Sequence, residues 1–358
     1  MTMTTPHLLV DPTKVEANIA RLDNHITALG STLRPHVKTA KSVDVARLLF
    51  HGGTGPITVS TLHEAEEFAA HGFTDIVYAV GIAPDKLDRV RALRARGVDL
   101  VVLLDSVDQA HRTSEANVPA LIEVDCDGHR GGVTPDDPAL PAIAAVLGDT
   151  LRGVLTHAGE SYYCYTVEAL VAAAEHERAT AVAAAETLRA KGFPCPVVSI
   201  GSTPTAHATR DLTGVTEVRA GNYVFFDLVM AGIGVCTLDD LALSVVTTVI
   251  GHREDKGWIL TDAGWMATSR DRGTAAQPTD QGYGLVCDVD GTPIPDLLMT
   301  AASQEHGVLS TRTGSPLPDL PVGTKLRILP NHACATAAQH THYHLTTTTT
   351  TWPRLNGW

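Results

Sequence analysis

The sequence predicts an α/β chain, a (β/α)8 TIM barrel followed by an all-β domain, and three observations carry that prediction. Short β-rich runs alternate with helical stretches through the first two-thirds of the chain. Those runs are continuously apolar, as strands buried on both faces of a parallel sheet are. Beyond about residue 240 the helical periodicity stops, and short β-branched runs punctuated by Gly, Pro and Asp take over.

An amphipathic segment at 13–29 comes first, opened by Asp11-Pro12-Thr13, a helix-start signal. Strand runs follow at 33–38, 57–61, 75–80, 99–105, 119–125, 151–157, 195–201 and 216–221. Helical stretches at 42–50, 63–71, 84–96, 106–116, 137–147, 166–191 and 203–209 lie among them. Eight strands with helical crossovers imply a closed barrel. A doubly wound open sheet is the alternative, but no G-x-G-x-x-G follows an early strand. The runs at 243–251, 257–262, 284–289, 296–301, 324–329 and 342–351 read as a β domain. Within the last, the Thr346–Thr351 run reads as an edge or closing strand, because threonine favours strands. The expected domains are 12–240 and 241–358.

With 27 Lys+Arg against 40 Asp+Glu, the net charge of −13 argues against a nucleic-acid or anionic-membrane partner, which would need clustered cations. No apolar run approaches the ~18–20 residues of a membrane span. The N-terminus, MTMTTPHLLVD, lacks the basic and apolar regions of a secretory signal. The six cysteines are scattered without a C-x-x-C pair and read as reduced thiols, so a cytoplasmic enzyme is the expectation.

Barrel active sites sit at the carboxyl ends of the strands. The first strand runs into Arg34-Pro35-His36-Val37-Lys38, and a lysine there is either solvated or a desolvated Schiff-base former. The fifth ends near Arg130 on a glycine-rich loop, and the sixth ends at His157, ahead of Glu160 and Tyr162. Strands seven and eight end in Gly201-Ser202-Thr203-Pro204 and Ala220-Gly221-Asn222, two small turns of the kind that hold phosphate. Together with Lys38 they point to a phosphorylated carbonyl cofactor, pyridoxal 5'-phosphate. In the β domain, His332 and Cys334 lie two apart, on one face if the segment is a strand. Such a pair suits zinc, or is a buried cysteine beside an unrelated histidine. His340, His342 and His344 also alternate, as a metal patch or as a polar strand face. The stretches 262–273 and 303–307 are dense in polar residues without an assigned role.

RPHVKT at 34–39, EVRAGNYVFFD at 217–227, DAGW and SRDRG within 262–273, QEHG at 304–307, PNHAC at 330–334 and WPRLNGW at 352–358 are similar to the D-serine dehydratase and D-threonine aldolase family. These are metal-activated, alanine-racemase-like (fold type III) pyridoxal-phosphate enzymes. The resemblance implies a homodimer, an N-terminal strand (about 7–11) returning to the β domain, and Lys38 as the Schiff-base lysine. It implies Arg130 facing the pyridine nitrogen, Tyr162 and His157 beside the cofactor, Thr203, Gly221 and Asn222 on its phosphate, and zinc on His332 and Cys334. Ala40 and Glu160 depart from the family pattern, which often has histidine at both; the second bears on substrate preference.

In that family His and Cys ligands go with dehydration, His and Asp with aldol cleavage. PNHAC therefore favours a lyase that converts D-serine or a related D-3-hydroxy amino acid, such as D-3-hydroxyaspartate, to a 2-oxo acid and ammonia. The alternatives are a metal-dependent D-threonine aldolase, a racemase, which needs no metal, and a non-catalytic pyridoxal-phosphate carrier, which lacks a β domain.

Overall fold

The computed structural model describes residues 3–358. It opens with β1 (His7–Val10) and α1 (Pro12–Ala28). Asp11 caps α1, its Oδ1 accepting from the Thr13 and Lys14 amides at 3.0 and 3.3 Å, while Pro12 fills the first helical position.

Strands and helices then alternate: β2 (Thr32–Leu33), α2 (Val43–Leu48), β3 (Ile57–Val59), α3 (Leu62–Ala70), β4 (Asp75–Gly81), α4 (Leu87–Ala95), β5 (Asp99–Leu104), α5 (Val107–Glu115), β6 (Ala120–Val124), α6 (Ala139–Leu147), β7 (Leu151–Thr156), α7 (Val167–Ala190), β8 (Val197–Ile200), α8 (Thr203–Ala208) and β9 (Glu217–Val218). Thr61, Ser106, Thr166 and Ser202 start α3, α5, α7 and α8 with side-chain caps. The eight strands β2 to β9 form one parallel sheet, ordered β2-β9-β8-β7-β6-β5-β4-β3. A bridge between His36 and Thr58 joins its two ends, with the Val37 amide donating to the Thr58 carbonyl at 2.9 Å, so the sheet closes on itself. Val77, Val101, Leu103, Leu121 and Leu155 pack as one buried cluster of strand residues.

Two barrel strands, β2 and β9, are cut to two residues each. Past Leu33 the chain meets Pro35, which has no N–H to donate, and leaves only the His36 bridge. Past Val218 it reaches the Gly221 turn.

The β unit comprises α9 (Leu228–Gly232), β10 (Leu243–Arg253), β11 (Trp258–Thr261), α10 (Trp265–Thr268), β12 (Leu285–Cys287), β13 (Pro293–Ala302), β14 (Gly307–Thr311), β15 (Lys325–Leu329), α11 (Ala333–Ala337), β16 (His342–Leu345) and β17 (Thr351–Pro353). Its sheet runs β11-β14-β13-β12-β15-β10-β1-β16-β17, and β11 also pairs with β10, closing the strands from β10 to β15 into a second ring. The returning N-terminal strand is β1, antiparallel to β10 and parallel to β16; of residues 1–11, all expected to join the β domain, the first two lie outside the described residues.

By contacts the chain divides into two units, one up to Asn18 together with Val224–Asn356, the other Ile19–Tyr223 with the last two residues. Segment 224–240 packs with the β unit: the Leu228 and Val229 amides donate to the Pro330 and Asn331 carbonyls at 3.0 and 3.2 Å. The threonine run departs from expectation, since only Thr351 enters a strand. Between β16 and β17 the Thr348 hydroxyl accepts from the Thr350 amide, a local turn that competes with strand pairing. Among the described residues no helix is long and apolar enough to cross a membrane.

Candidate active site

The sheet order assembles the barrel residues. The loops after β2, β9, β8, β7 and β6 are consecutive neighbours around the ring, and they carry Lys38, then Gly221 and Asn222, then Thr203, then His157 and Tyr162, then Arg130. Every residue expected from the barrel therefore lies at one end of it.

Lys38 occupies the turn after β2 and is half-buried. Its amide donates to His36 Nδ1 at 3.4 Å. His157 Nδ1 donates to the Gly201 carbonyl at 3.0 Å, which leaves Nε2 as an acceptor. Both rings are neutral: burial, reinforced by the Lys38 charge, holds His36 well below its ordinary range and pushes His157 down to about 3. The neighbouring Lys41 is engaged elsewhere, its Nζ 2.9 Å from Glu64 Oε1.

Beneath these loops lie charges that the sequence reading missed. Buried Arg219 donates from Nη1 to Ser199 Oγ and from Nη2 to the Thr156 carbonyl, both at 2.6 Å. Burial lowers it only to about 10, so it stays cationic at neutral pH. The Ser199 hydroxyl donates to Glu217, which also accepts from Arg34. Arg130 lies at the rim, half-exposed, with Nη2 3.4 Å from Glu123 Oε1. Glu160, the departure from the family pattern, is 2.9 Å from His129 Nδ1, and its amide donates to Asp127. That contact joins the loops after β6 and β7 through an exposed carboxylate.

A second unforeseen residue is Glu177 on α7, 1% exposed. Its Oε1 accepts from the Ala158 amide at 2.9 Å and the Gly201 amide at 3.0 Å, tying together the loops that carry His157 and Thr203. The Ser161 hydroxyl, 2.9 Å from Ser202 Oγ, makes a second tie between them, beside Tyr162. Glu177→Ala strands two buried amides at about 1–3 kcal/mol each. The expected result is a fall in unfolding free energy of about 2–6 kcal/mol by urea titration, with Glu177→Gln, which keeps an acceptor, losing much less.

The loops also fit a phosphorylated cofactor. Thr203 Oγ1 is buried without a protein partner, a donor available to a phosphate oxygen. Gly201 and Gly221 are required by close approach: a Cβ on the first would meet the Arg219 carbonyl oxygen at 2.1 Å, and on the second the His36 carbonyl oxygen at 2.7 Å. Only glycine lets these backbones approach so closely.

In the β unit, His332 is the residue preceding α11 and Cys334 lies in its first turn, so the pair is presented by a helix start and not by a strand face. PNHAC is too short to show helical periodicity, and the turn is imposed by its anchors. Asp227 caps α9 through Oδ1, and its Oδ2 accepts from the Ala333 amide at 2.9 Å, between the two candidate ligands. Asn331 donates to the Gly282 carbonyl at 2.7 Å and accepts from the Thr274 hydroxyl at 2.8 Å. His332 Nδ1 is 2.7 Å from Asp271 Oδ2, and the Cys334 sulfur is within hydrogen-bond reach of the same ring. Burial opposes protonation of His332, but the negative charge at Cys334 and the Asp271 carboxylate outweigh it and hold the ring above its ordinary range.

Imidazole with thiolate is a zinc-type donor set. Among the described residues no group of three or more His, Cys, Asp or Glu is placed to hold a metal. The His340, His342 and His344 patch is a polar surface: His340 Nε2 is 2.9 Å from the Ala267 carbonyl, and His344 stands edge-on to His7 with ring centres 4.9 Å apart. Asp262 of the DAGW stretch is structural, accepting from the Thr247 hydroxyl and the Thr248 amide.

Known proteins resemble the chain throughout its length. The family described as "Alanine racemase, N-terminal domain" matches residues 10–229, and that described as "Putative serine dehydratase domain" matches 242–346. A D-threo-3-hydroxyaspartate dehydratase from Delftia sp. (strain HT23) is 54% identical, over 100% of this chain and 99% of its own. Its solved structure superposes with a TM-score of 0.97, again covering 100% and 99%. Two solved D-threo-3-hydroxyaspartate dehydratase structures, both 54% identical to this chain, carry a histidine-to-alanine and a cysteine-to-alanine substitution at positions two apart, the second in the metal-free form. A D-serine dehydratase from Dictyostelium discoideum is 28% identical over 96% of this chain and 93% of its own. A D-threonine aldolase structure from Filomicrobium marinum is 26% identical with a TM-score of 0.80, covering 98% and 95%.

Proposed function

Because the chain belongs to the alanine-racemase-like, fold type III family of pyridoxal-phosphate enzymes, with a serine dehydratase domain at 242–346, we propose that it is a metal-dependent dehydratase of D-3-hydroxy amino acids. It is a lyase, as its named relatives are. D-threo-3-hydroxyaspartate is the first substrate to expect and D-serine the second. The observation that carries this reading is 54% identity, end to end, with a D-threo-3-hydroxyaspartate dehydratase. The spacing of His332 and Cys334 supports it, being that of the two positions substituted in the D-threo-3-hydroxyaspartate dehydratase variants.

In this reading Lys38, His157, Tyr162, Thr203, Gly221 and Asn222 hold pyridoxal phosphate, and Arg130 serves its ring nitrogen. His332 and Cys334 hold zinc. When bound, the cofactor supplies the electron sink for removing the substrate's α-proton, and the metal a Lewis acid for the departing hydroxide. The Lys38 amine carries the cofactor and then takes that proton, a role that needs a lysine kept out of bulk water. Neutral His157 offers an acceptor beside it without adding charge. Arg130 would face the ring nitrogen and discourage its protonation, which would make metal assistance to the departing hydroxide more valuable. A homodimer in the cytoplasm is the accompanying proposal, testable by sedimentation of the purified protein.

Product analysis on protein supplied with pyridoxal phosphate and zinc tests the reaction. Oxaloacetate with ammonia from D-threo-3-hydroxyaspartate, and pyruvate with ammonia from D-serine, are the expected products. Glycine with glyoxylate from the first substrate, or glycine with acetaldehyde from D-threonine, would make it an aldolase instead.

A further inference from the structure

We infer that Asp271 is the positioning residue of the metal centre, holding the His332 ring in the tautomer and rotation that present Nε2 as the ligand atom. The inference rests on the reading that His332 and Cys334 hold the metal. Asp271 lies in SRDRG, a stretch whose role the proposed chemistry leaves unassigned. A carboxylate 2.7 Å from Nδ1 fixes the proton on that nitrogen and leaves the other for a cation. A histidine that ligates a metal commonly donates its second nitrogen to such an outer partner.

The Asp271 backbone is held from both directions. Its amide donates to Ser269 Oγ at 3.0 Å, and its carbonyl accepts from Asn331 Nδ2 at 3.2 Å. Asn331 directly precedes His332, so the loop and the ligand segment are tied at the backbone and again at the side chains. Ser269 takes φ +79°, a left-handed conformation that costs energy in a non-glycine residue. The His332 and Asp271 side chains are 40% and 34% exposed, so their ion pair contributes little to folding. Loss of the carboxylate should therefore register in metal binding and not in the fold.

The test is zinc titration of the pyridoxal-phosphate-loaded protein against a chromogenic chelator, with thermal unfolding measured in parallel. Asp271→Ala is expected to weaken zinc binding about 10–100-fold at an unchanged melting temperature. Isosteric Asp271→Asn should fall between, and Asp271→Glu should recover part of the affinity. In cobalt-loaded protein, Asp271→Ala should shift the ligand-field bands while the cobalt–thiolate band from Cys334 persists. If Asp271→Ala and Asp271→Asn bind zinc within about two-fold of the parent while His332→Ala loses it, the positioning role is overturned and the metal pair stands. If His332→Ala and Cys334→Ala also bind zinc like the parent, the metal reading itself fails, and this inference with it.

Discussion

Lys38→Ala should lower turnover by at least about 10⁴-fold, the upper range of what one positioned acid–base group contributes. The loss is this large because no other lysine can take over. Lys41, the only one nearby in sequence, is committed to the buried carboxylate of Glu64 at 2.9 Å. The variant should fold normally, since the turn is closed by backbone bonds: the Val37 amide donates to Thr58 at 2.9 Å and the Lys41 amide to Val37 at 2.8 Å. Borohydride reduction should no longer fix the cofactor to the protein, and added small amines should restore part of the rate. Turnover within about tenfold of the parent would remove Lys38 from the chemistry.

His332→Ala and Cys334→Ala should each release the metal and lower elimination by about 10²–10³-fold, the several kcal/mol that a Lewis acid supplies to a departing hydroxide. Exhaustive chelation of the unaltered protein should reproduce the loss and leave the cofactor's absorbance nearly unchanged. Activity that survives chelation would sink the metal-dependent reading. The sign of the pH effect follows from the ring. Without metal His332 is held above its ordinary range, so near neutral pH it carries a proton that metal must displace. Zinc affinity should therefore rise with pH, and zinc added at pH 7 should release protons into a weakly buffered solution.

What could be read in advance depended on the range over which each feature is encoded. The β/α alternation is local, so the barrel was legible, as was Lys38 just after a barrel strand. The short β2 and β9 were overestimated because their apolar runs continue past the points where Pro35 and Gly221 end regular pairing. Glu177 and Arg219 could not be found, because a charged residue on a helix or strand reads as a solvated face until its partners are known. The Asp271–His332 contact spans 61 residues of sequence and leaves no spacing signal. The helix start at Ala333 escapes local reading for the same reason: its first amide is held by Asp227, a tertiary anchor that local propensity does not contain.

The position of β1 has a consequence for how the molecule is made. Leu9 pairs with Ser244 on one side and with His344 on the other, so β1 waits for partners that follow it far along the sequence. Those pairings have very high contact order, and closing so long a loop is the slow step of such topologies. On the ribosome the barrel strands can pair as they emerge, whereas β1 stays unpaired until β10 and β16 have been made. An N-terminal truncation that deletes β1 should therefore leave β10 and β16 with unpaired edges, prone to association between chains during refolding.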